Sequence, residues 1–288
     1  MRLGRYAAMV SVTAALASCH KPAPPLPPEQ VHYTVGSGWR GERGVWFYPR
    51  EDFAYQATGL AVVDRDTDAH ITADGEHYDR SAMAGAHQTL QLPSIVTVRN
   101  LDNGRQVTIR LNDRGPADPG RILSVTPTVA RTLGIGDAPA RVEIVEDESR
   151  SRQINEQSPD ARHLAIQAAP VGAVSVETLG GAPSTTPTRL PDSAQAEHLA
   201  VDHLPVTYAQ GYATGGTLWV DAGDFSQRRY AGSVARRCGA RVDYRADPRG
   251  LVWHVRAGPF ADVAGADKAL DQILAEGVTG ARIVVEQN

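Results

Sequence analysis

The sequence has few cysteines, no long apolar run past its first residues, and no large excess of charge. Cys19 and Cys238 are the only cysteines among 288 residues, too few for a disulfide framework, and their different surroundings argue against pairing. After the first residues no continuous apolar stretch reaches transmembrane length. A net charge of −4 gives no reason to expect nucleic-acid binding. The sequence shows neither a metal-ligand cluster nor a phosphate loop, so we expect no metal and no cofactor.

Composition changes along the chain predict two globular domains joined by a linker. Short β patterns punctuated by glycine fill residues 31–147, whereas residues 148–216 are rich in Ala, Pro, Ser, Thr and Gly and show little periodicity. Such a segment buries too little apolar surface to offset its ordering entropy, so we predict a disordered linker there. Order is expected to return over residues 217–288.

The first residues are typical of an export signal. Arg2 and Arg5 precede an apolar stretch over residues 6–16, and small residues lead directly to Cys19. This segment resembles the bacterial lipobox, which implies a signal peptide over residues 1–18 and a lipid anchor on Cys19; an ordinary signal peptide with an incidental cysteine is the alternative. His20 stands where inner-membrane lipoproteins carry aspartate, so the outer membrane is the expected destination. The proline-rich residues 19–30 predict a stiff tether.

The first domain has the patterns of a small β-barrel. Val96 and Val98 alternate with polar residues, a turn with sequence NLDNG follows at residues 100–104, and Val107, Ile109 and Leu111 alternate on the returning strand, which predicts a hairpin. A helix is expected to begin near Thr126-Pro127 and to end at Gly134. A last strand is expected over residues 140–145.

Four motifs in this domain resemble those of the rare lipoprotein A family. They are TADGE (residues 72–76), AGAHQTL (84–90), VRNLDNG (98–104) and NDRGP (112–116), with a matching lead-in at residues 33–36 and 44–51. Members are septal-ring lytic transglycosylases with a double-psi β-barrel. The resemblance therefore implies a six-stranded all-β barrel and cleavage of the bond between N-acetylmuramic acid and N-acetylglucosamine, leaving a 1,6-anhydro end.

Asp113 is the candidate catalytic acid. A single carboxyl group can protonate the leaving oxygen and then accept the proton of the C6 hydroxyl, provided that burial or a nearby anion keeps it protonated at first. Asp113 shares strand parity with Leu111, so it is expected to point to the apolar side, while Arg114 points away. A turn aspartate that bonds to backbone amides is the equally common alternative; the resemblance favours catalysis.

His87 and Glu76 complete the predicted catalytic set. His87 matches the family's motif histidine and is expected to orient or polarise Asp113 or to bind a sugar; a structural histidine is the alternative without the resemblance. Glu76 is a second acid of the same cleft or a solvent-facing loop residue.

Two departures from the family pattern bear on activity. The residues after GLA (59–61) lack the usual serine and aromatics, and Ser124 replaces an aspartate that lies in the binding groove of related barrels. Both changes are compatible with a barrel that binds glycan without cleaving it.

Residues 217–288 alternate strands and helices in the order βαββαβ, which is similar to the sporulation-related repeat (SPOR) domain. That resemblance implies binding to glycan strands stripped of their peptides. The candidate glycan-binding residues are the aromatics Trp219, Phe225, Trp253 and Phe260; packing in the core is the alternative.

These patterns together predict a multidomain chain: a double-psi β-barrel, a disordered linker and a small α+β SPOR domain. The expected function is a peptidoglycan lytic transglycosylase acting during cell separation, anchored by lipid to the periplasmic face of the outer membrane and enriched at the division septum. Glycan strands and division proteins are the expected partners. The alternatives are a non-catalytic septal scaffold and, less favoured, wall loosening without bond cleavage.

Overall fold

The computed structural model describes residues 25–158, 204–247 and 250–287. Cys19 and the predicted signal peptide, and residues 159–203 of the predicted linker, lie outside the described residues. Among those described, no helix combines the length and apolar character needed to cross a membrane. The strands are β1 (Trp39–Arg40), β2 (Trp46–Phe47), β3 (Gln56–Val63), β4 (Ala84–His87), β5 (Ser94–Asn100), β6 (Arg105–Asp113), β7 (Leu123–Val125), β8 (Ala140–Glu146), β9 (Ala209–Gln210), β10 (Thr217–Phe225), β11 (Arg241–Asp247), β12 (Gly250–Phe260) and β13 (Arg282–Glu286). The helices are α1 (Pro127–Leu133), α2 (Glu148–Gln157), α3 (Arg228–Cys238) and α4 (Val263–Ala275), with a 3₁₀ turn at Glu42–Gly44.

Six strands close on themselves to form the barrel. The order is β4-β7-β3-β8-β5-β6, and β6 pairs again with β4. Two of the pairings, β3 with β7 and β4 with β6, are parallel, and the others are antiparallel. Closure leaves none of the six strands with a free edge along its paired length. The predicted six-stranded double-psi barrel is confirmed.

The hairpin predicted from alternating valines is confirmed. Val96 pairs with Ile109 and Val98 with Val107 across β5 and β6, and all four side chains are buried in the barrel core. Burial of one face fixes this register, because a shift of one residue would expose the whole apolar set.

Helix α1 begins and ends where the sequence predicted. The Thr126 hydroxyl accepts a hydrogen bond from the Val129 amide at 3.4 Å, and Pro127 takes the first helical position. Gly134 ends the helix with φ 70°, a left-handed conformation that favours glycine.

The linker does not begin at residue 148, as predicted; helix α2 occupies that position. Asp147 caps it by accepting from the Arg150 amide at 3.1 Å, and the buried Ser151 hydroxyl accepts from the Ile95 amide of β5 at 2.9 Å. Polar contacts of this kind leave no apolar periodicity in the sequence, so its hydrophobic pattern does not predict this helix.

The predicted end of the linker is also wrong. Residues 209–210 add β9 to the edge of β6, and the Gly215 amide donates to the Leu101 carbonyl at 2.8 Å. The segment before β10 therefore runs along the barrel.

The C-terminal domain has the predicted βαββαβ order. Its antiparallel sheet runs β11-β12-β10-β13, and residues of α3 and α4 pack with it in one buried cluster. Leu218, Val220 and Ala222 alternate along β10 and point into that cluster.

The C-terminal domain packs against the barrel. Leu60 and Leu101, from the barrel, are fully buried in the cluster formed by the C-terminal domain. The Thr58 hydroxyl donates to the Val285 carbonyl at 2.6 Å, and Arg121 holds both carboxylate oxygens of Asp267 on α4 at 2.7 and 2.8 Å. The described residues thus place the two domains in contact rather than apart on a tether.

Candidate active site

The TADGE motif forms a tight turn beside the end of β6. Gly75 has φ 94°, and a Cβ atom there would lie 2.1 Å from the Gln30 carbonyl oxygen, so the turn requires glycine. The Thr72 hydroxyl bonds the Asp74 carboxylate at 2.7 Å, and the Asp74 amide donates to the Asn112 carbonyl at 3.1 Å. These bonds fix the turn against the last residues of β6.

Asp113 is the last residue of β6 and its side chain is 27% exposed. One carboxylate oxygen, Oδ1, accepts from the backbone amides of Ala73 at 2.9 Å and Arg114 at 2.7 Å. The other, Oδ2, lies 3.6 Å from Nε2 of His70. Asp113 thus makes the backbone hydrogen bonds of a turn aspartate, and its side chain stays partly exposed.

The parity argument for Asp113 is wrong at its last step. Leu111 pairs with Gly85 but Asp113 pairs with Ala86, so a bulge at Asn112 interrupts the alternation. The bulge turns Asp113 toward the turn and His70 and leaves it partly exposed, whereas the unbroken alternation would have placed it on the apolar side.

Glu76 lies near Asp113 but is occupied by polar partners. One carboxylate oxygen is 2.6 Å from Arg110 Nη2, and the other accepts from the Asn112 side-chain amide at 2.7 Å. Asp74, fully buried beside this pair, has its pKa raised to about 6 by burial and by the charge of Glu76. Glu76, with a side chain 20% exposed, therefore belongs with the buried Asp74 and Arg110 to an ionic cluster that supports the turn.

His87 is buried and bonds away from Asp113. Its Nδ1 accepts from the amides of Thr89 at 3.2 Å and Leu90 at 3.1 Å, so the ring proton is on Nε2, which faces the Tyr55 hydroxyl at 3.1 Å. Burial, and secondarily the charge of Arg114, lowers the pKa of His87 to about 3. The neutral ring makes no hydrogen bond with Asp113, so its expected role in orienting that residue does not fit the structure.

Arg114 joins the motif loop to the lead-in. Its guanidinium donates to the carbonyls of Leu90 and Val35, the latter at 2.6 Å, and burial lowers its pKa to about 10. Its side chain is thus bonded to backbone carbonyls rather than to the Asp113 carboxylate.

His70 is the residue near Asp113 that the sequence did not single out. Its ring stacks on Tyr78 with centroids 4.6 Å apart, and Nδ1 lies 3.0 Å from the Asp68 carbonyl. The sequence places this histidine two residues before the TADGE motif, but only the folded structure shows that its ring lies beside Asp113.

Three of the four aromatics proposed for glycan binding pack against the C-terminal core: Phe225, Trp253 and Phe260. Trp219 lies on β10 between residues that enter this core, is 4% exposed, and is covered by the guanidinium groups of Arg241 and Arg256 at 4.0 and 4.3 Å. The core-packing alternative therefore describes the first three, and arginines cover the fourth.

Within the described residues, no group of three His, Cys, Asp or Glu side chains is arranged to hold a metal ion. At the carboxyl end of β6, the Asp113 carboxylate and the His70 imidazole lie 3.6 Å apart, an arrangement that can transfer a proton.

The barrel coincides with a family match. Residues 55–144 match the family model described as lytic transglycolase, and the double-psi β-barrel occupies almost the same range, from β3 to β8.

Curated relatives carry one name. The chain is 37% identical over 101 residues to the endolytic peptidoglycan transglycosylase RlpA of Vibrio cholerae, covering 34% of this chain and 38% of that protein. It is 36% identical over 172 residues to the RlpA of Pseudomonas aeruginosa strain PAO1, covering 57% of this chain and 49% of that protein. The chain thus aligns with less than half the length of these relatives.

Among solved structures, the chain aligns with the RlpA SPOR domain from Pseudomonas aeruginosa. The alignment covers 23% of this chain and 96% of that one, at 15% identity and a TM-score of 0.22.

Proposed function

We propose that this chain is a lytic transglycosylase that cleaves the MurNAc–GlcNAc bond of peptide-stripped peptidoglycan and leaves 1,6-anhydro ends. The observation that carries the proposal is Asp113, which lies in the barrel that matches the lytic transglycolase model, with Oδ1 held by two amides and a side chain that is 27% exposed. A carboxylate in this position can accept the proton of the sugar's C6 hydroxyl as that oxygen attacks C1. No water is needed as nucleophile, in contrast to hydrolysis.

Loss of anhydro products in Asp113→Asn tests this proposal. The protein without its first 19 residues is incubated with amidase-treated peptidoglycan, and 1,6-anhydromuramyl ends are measured by mass spectrometry. We expect wild-type protein to produce them and Asp113→Asn to lose at least about 100-fold in rate, since the amide cannot take the proton. Asp137→Asn, a change at a fully exposed aspartate of the same barrel, is the matched control and should retain activity.

A non-catalytic glycan-binding scaffold is the second candidate, favoured by Ser124 in place of the groove aspartate and by the missing aromatics after residue 61. Wild-type protein that binds peptide-stripped glycan but yields no anhydro ends would establish the scaffold and overturn the enzyme.

We further propose a lipid anchor on Cys19, an outer-membrane location, and enrichment at the septum through glycan bound by the C-terminal domain, with division proteins as partners. Support comes from the lipobox-like residues 16–19 and the SPOR-like order of residues 217–288. Cys19→Ala should abolish palmitate labelling and release the protein from outer-membrane fractions. Removal of residues 217–288 from a fluorescent fusion should abolish midcell enrichment; an unchanged midcell signal would contradict the assigned placement role.

A further inference from the structure

The two oxygens of Asp113 have different environments. Oδ1 accepts hydrogen bonds from two backbone amides, while Oδ2 faces Nε2 of His70. Cleavage needs one acid that protonates the leaving oxygen and one base that accepts the C6 hydroxyl proton, and two side chains that lie side by side can share these roles. Asp113 Oδ2 and His70 Nε2 form such a pair.

His70 is placed and oriented to be that acid. Because the Asp68 carbonyl, 3.0 Å from Nδ1, can only accept, Nδ1 carries a proton in either ring form, and Nε2 is the nitrogen that gains and loses one. Nε2 lies 3.6 Å from Asp113 Oδ2, and the His70 side chain is 32% exposed. Stacking on Tyr78 holds the plane of the ring.

The charged groups around His70 are acidic. Asp66 Oδ2 lies 3.5 Å from Nδ1, Asp113 Oδ2 faces Nε2 from β6, and the Tyr78 ring covers one face. When the ring is protonated, each N–H therefore faces an oxygen.

We propose that His70 is the general acid of the reaction and Asp113 the base. Protonated His70 gives its Nε2 proton to the glycosidic oxygen as the bond from C1 to that oxygen breaks. The C6 hydroxyl oxygen bonds to C1 and its proton passes to Asp113. Transfer of that proton from Asp113 back to Nε2 restores both groups, so protons and electrons balance without water or a cofactor.

This assignment rests on the proposed transglycosylase function, and leaving-group chemistry separates the two. A general acid is needed for a sugar leaving group but not for 4-nitrophenolate, which departs without protonation. His70→Gln should lower kcat on peptide-stripped glycan by about 100-fold or more. On a GlcNAc–MurNAc disaccharide carrying 4-nitrophenol at the MurNAc C1, the same variant should stay close to wild type. Asp113→Asn should fail on both substrates, because both need the base.

His77→Gln is the matched control, a partly exposed histidine of the same loop region that bonds the Pro27 carbonyl, and it should resemble wild type on both substrates. Equal losses of His70→Gln on the two substrates, or no loss on glycan, would overturn the acid role while leaving the transglycosylase intact. If His70→Gln is too unstable to assay, His70→Asn provides a second test of the acid role. Wild-type protein inactive on both substrates would overturn the proposed function itself.

Discussion

At the residue scale, burial sets the ionisation of several side chains in the barrel. Glu146, the last residue of β8, is 8% exposed and accepts from the Gln91 side-chain amide at 3.0 Å. Burial, with a smaller effect from the Asp52 carboxylate, raises its pKa to about 7 despite hydrogen bonds that act in the opposite direction. The folded protein therefore prefers Glu146 protonated at a pH where the unfolded chain ionises it.

Glu146→Gln should remove a pH dependence of stability. Because the folded pKa is raised from 4.5 to about 7, the native state binds the extra proton, and stability falls as pH rises through that window. Glutamine imitates the protonated side chain, so the variant should match wild type near pH 4. At pH 8 it should be more stable by up to about 3 kcal/mol.

Urea denaturation at several pH values measures this effect. Glu148→Gln, at a half-exposed carboxylate that begins α2, is the control and should follow the wild-type curve. Parallel pH curves for Glu146→Gln and wild type would show that Glu146 ionises freely in the folded state.

At the scale of elements, sequence patterns predicted the strands and the helix that bury one face in the core. The β5–β6 hairpin and α1 follow from alternating valines, a capping threonine and a left-handed glycine, all local signals. Helix α2 and the bulge at Asn112 have no such pattern. The buried Ser151 hydroxyl holds helix α2 against β5, and the bulge appears only as a shift in the pairing of β6 with β4. Sequence parity fails at that bulge, and the position of Asp113 changes with it.

At the scale of the whole molecule, the described C-terminal domain contacts the barrel close to the NDRGP loop. Arg121, with a side chain 10% exposed, forms a two-pronged ion pair with Asp267, and Arg43 lies 3.1 Å from Asp271 on the same helix. Hydrogen bonding to Asp267 raises the pKa of Arg121. Under the proposed function, a glycan bound by the C-terminal domain would be held on the same body as the barrel that carries Asp113.

A double-mutant cycle on Arg121 and Asp267 should show strong coupling. Desolvated, two-pronged pairs couple more strongly than exposed ones, so we expect an interaction free energy of about 1–3 kcal/mol in chemical denaturation of Arg121→Ala, Asp267→Ala and the double variant. The exposed pair Arg65–Asp137, 3.2 Å apart, is the control and should show no measurable coupling. Additive effects at Arg121 and Asp267 would mean that the domains are not docked in solution.

The sequence by itself determined a small β-barrel and the βαββαβ order, because alternation and caps are signals carried by neighbouring residues, whereas the double-psi topology and the choice of Asp113 came from the resemblance to a known family. The tertiary structure decided which groups meet Asp113. His87, the motif histidine, is buried against Tyr55. His70 lies 43 positions before Asp113 in the sequence, and the fold brings its Nε2 to 3.6 Å from Asp113 Oδ2. Contacts between distant segments depend on how the turn, the bulge and the strands close together, and no local pattern encodes that closure.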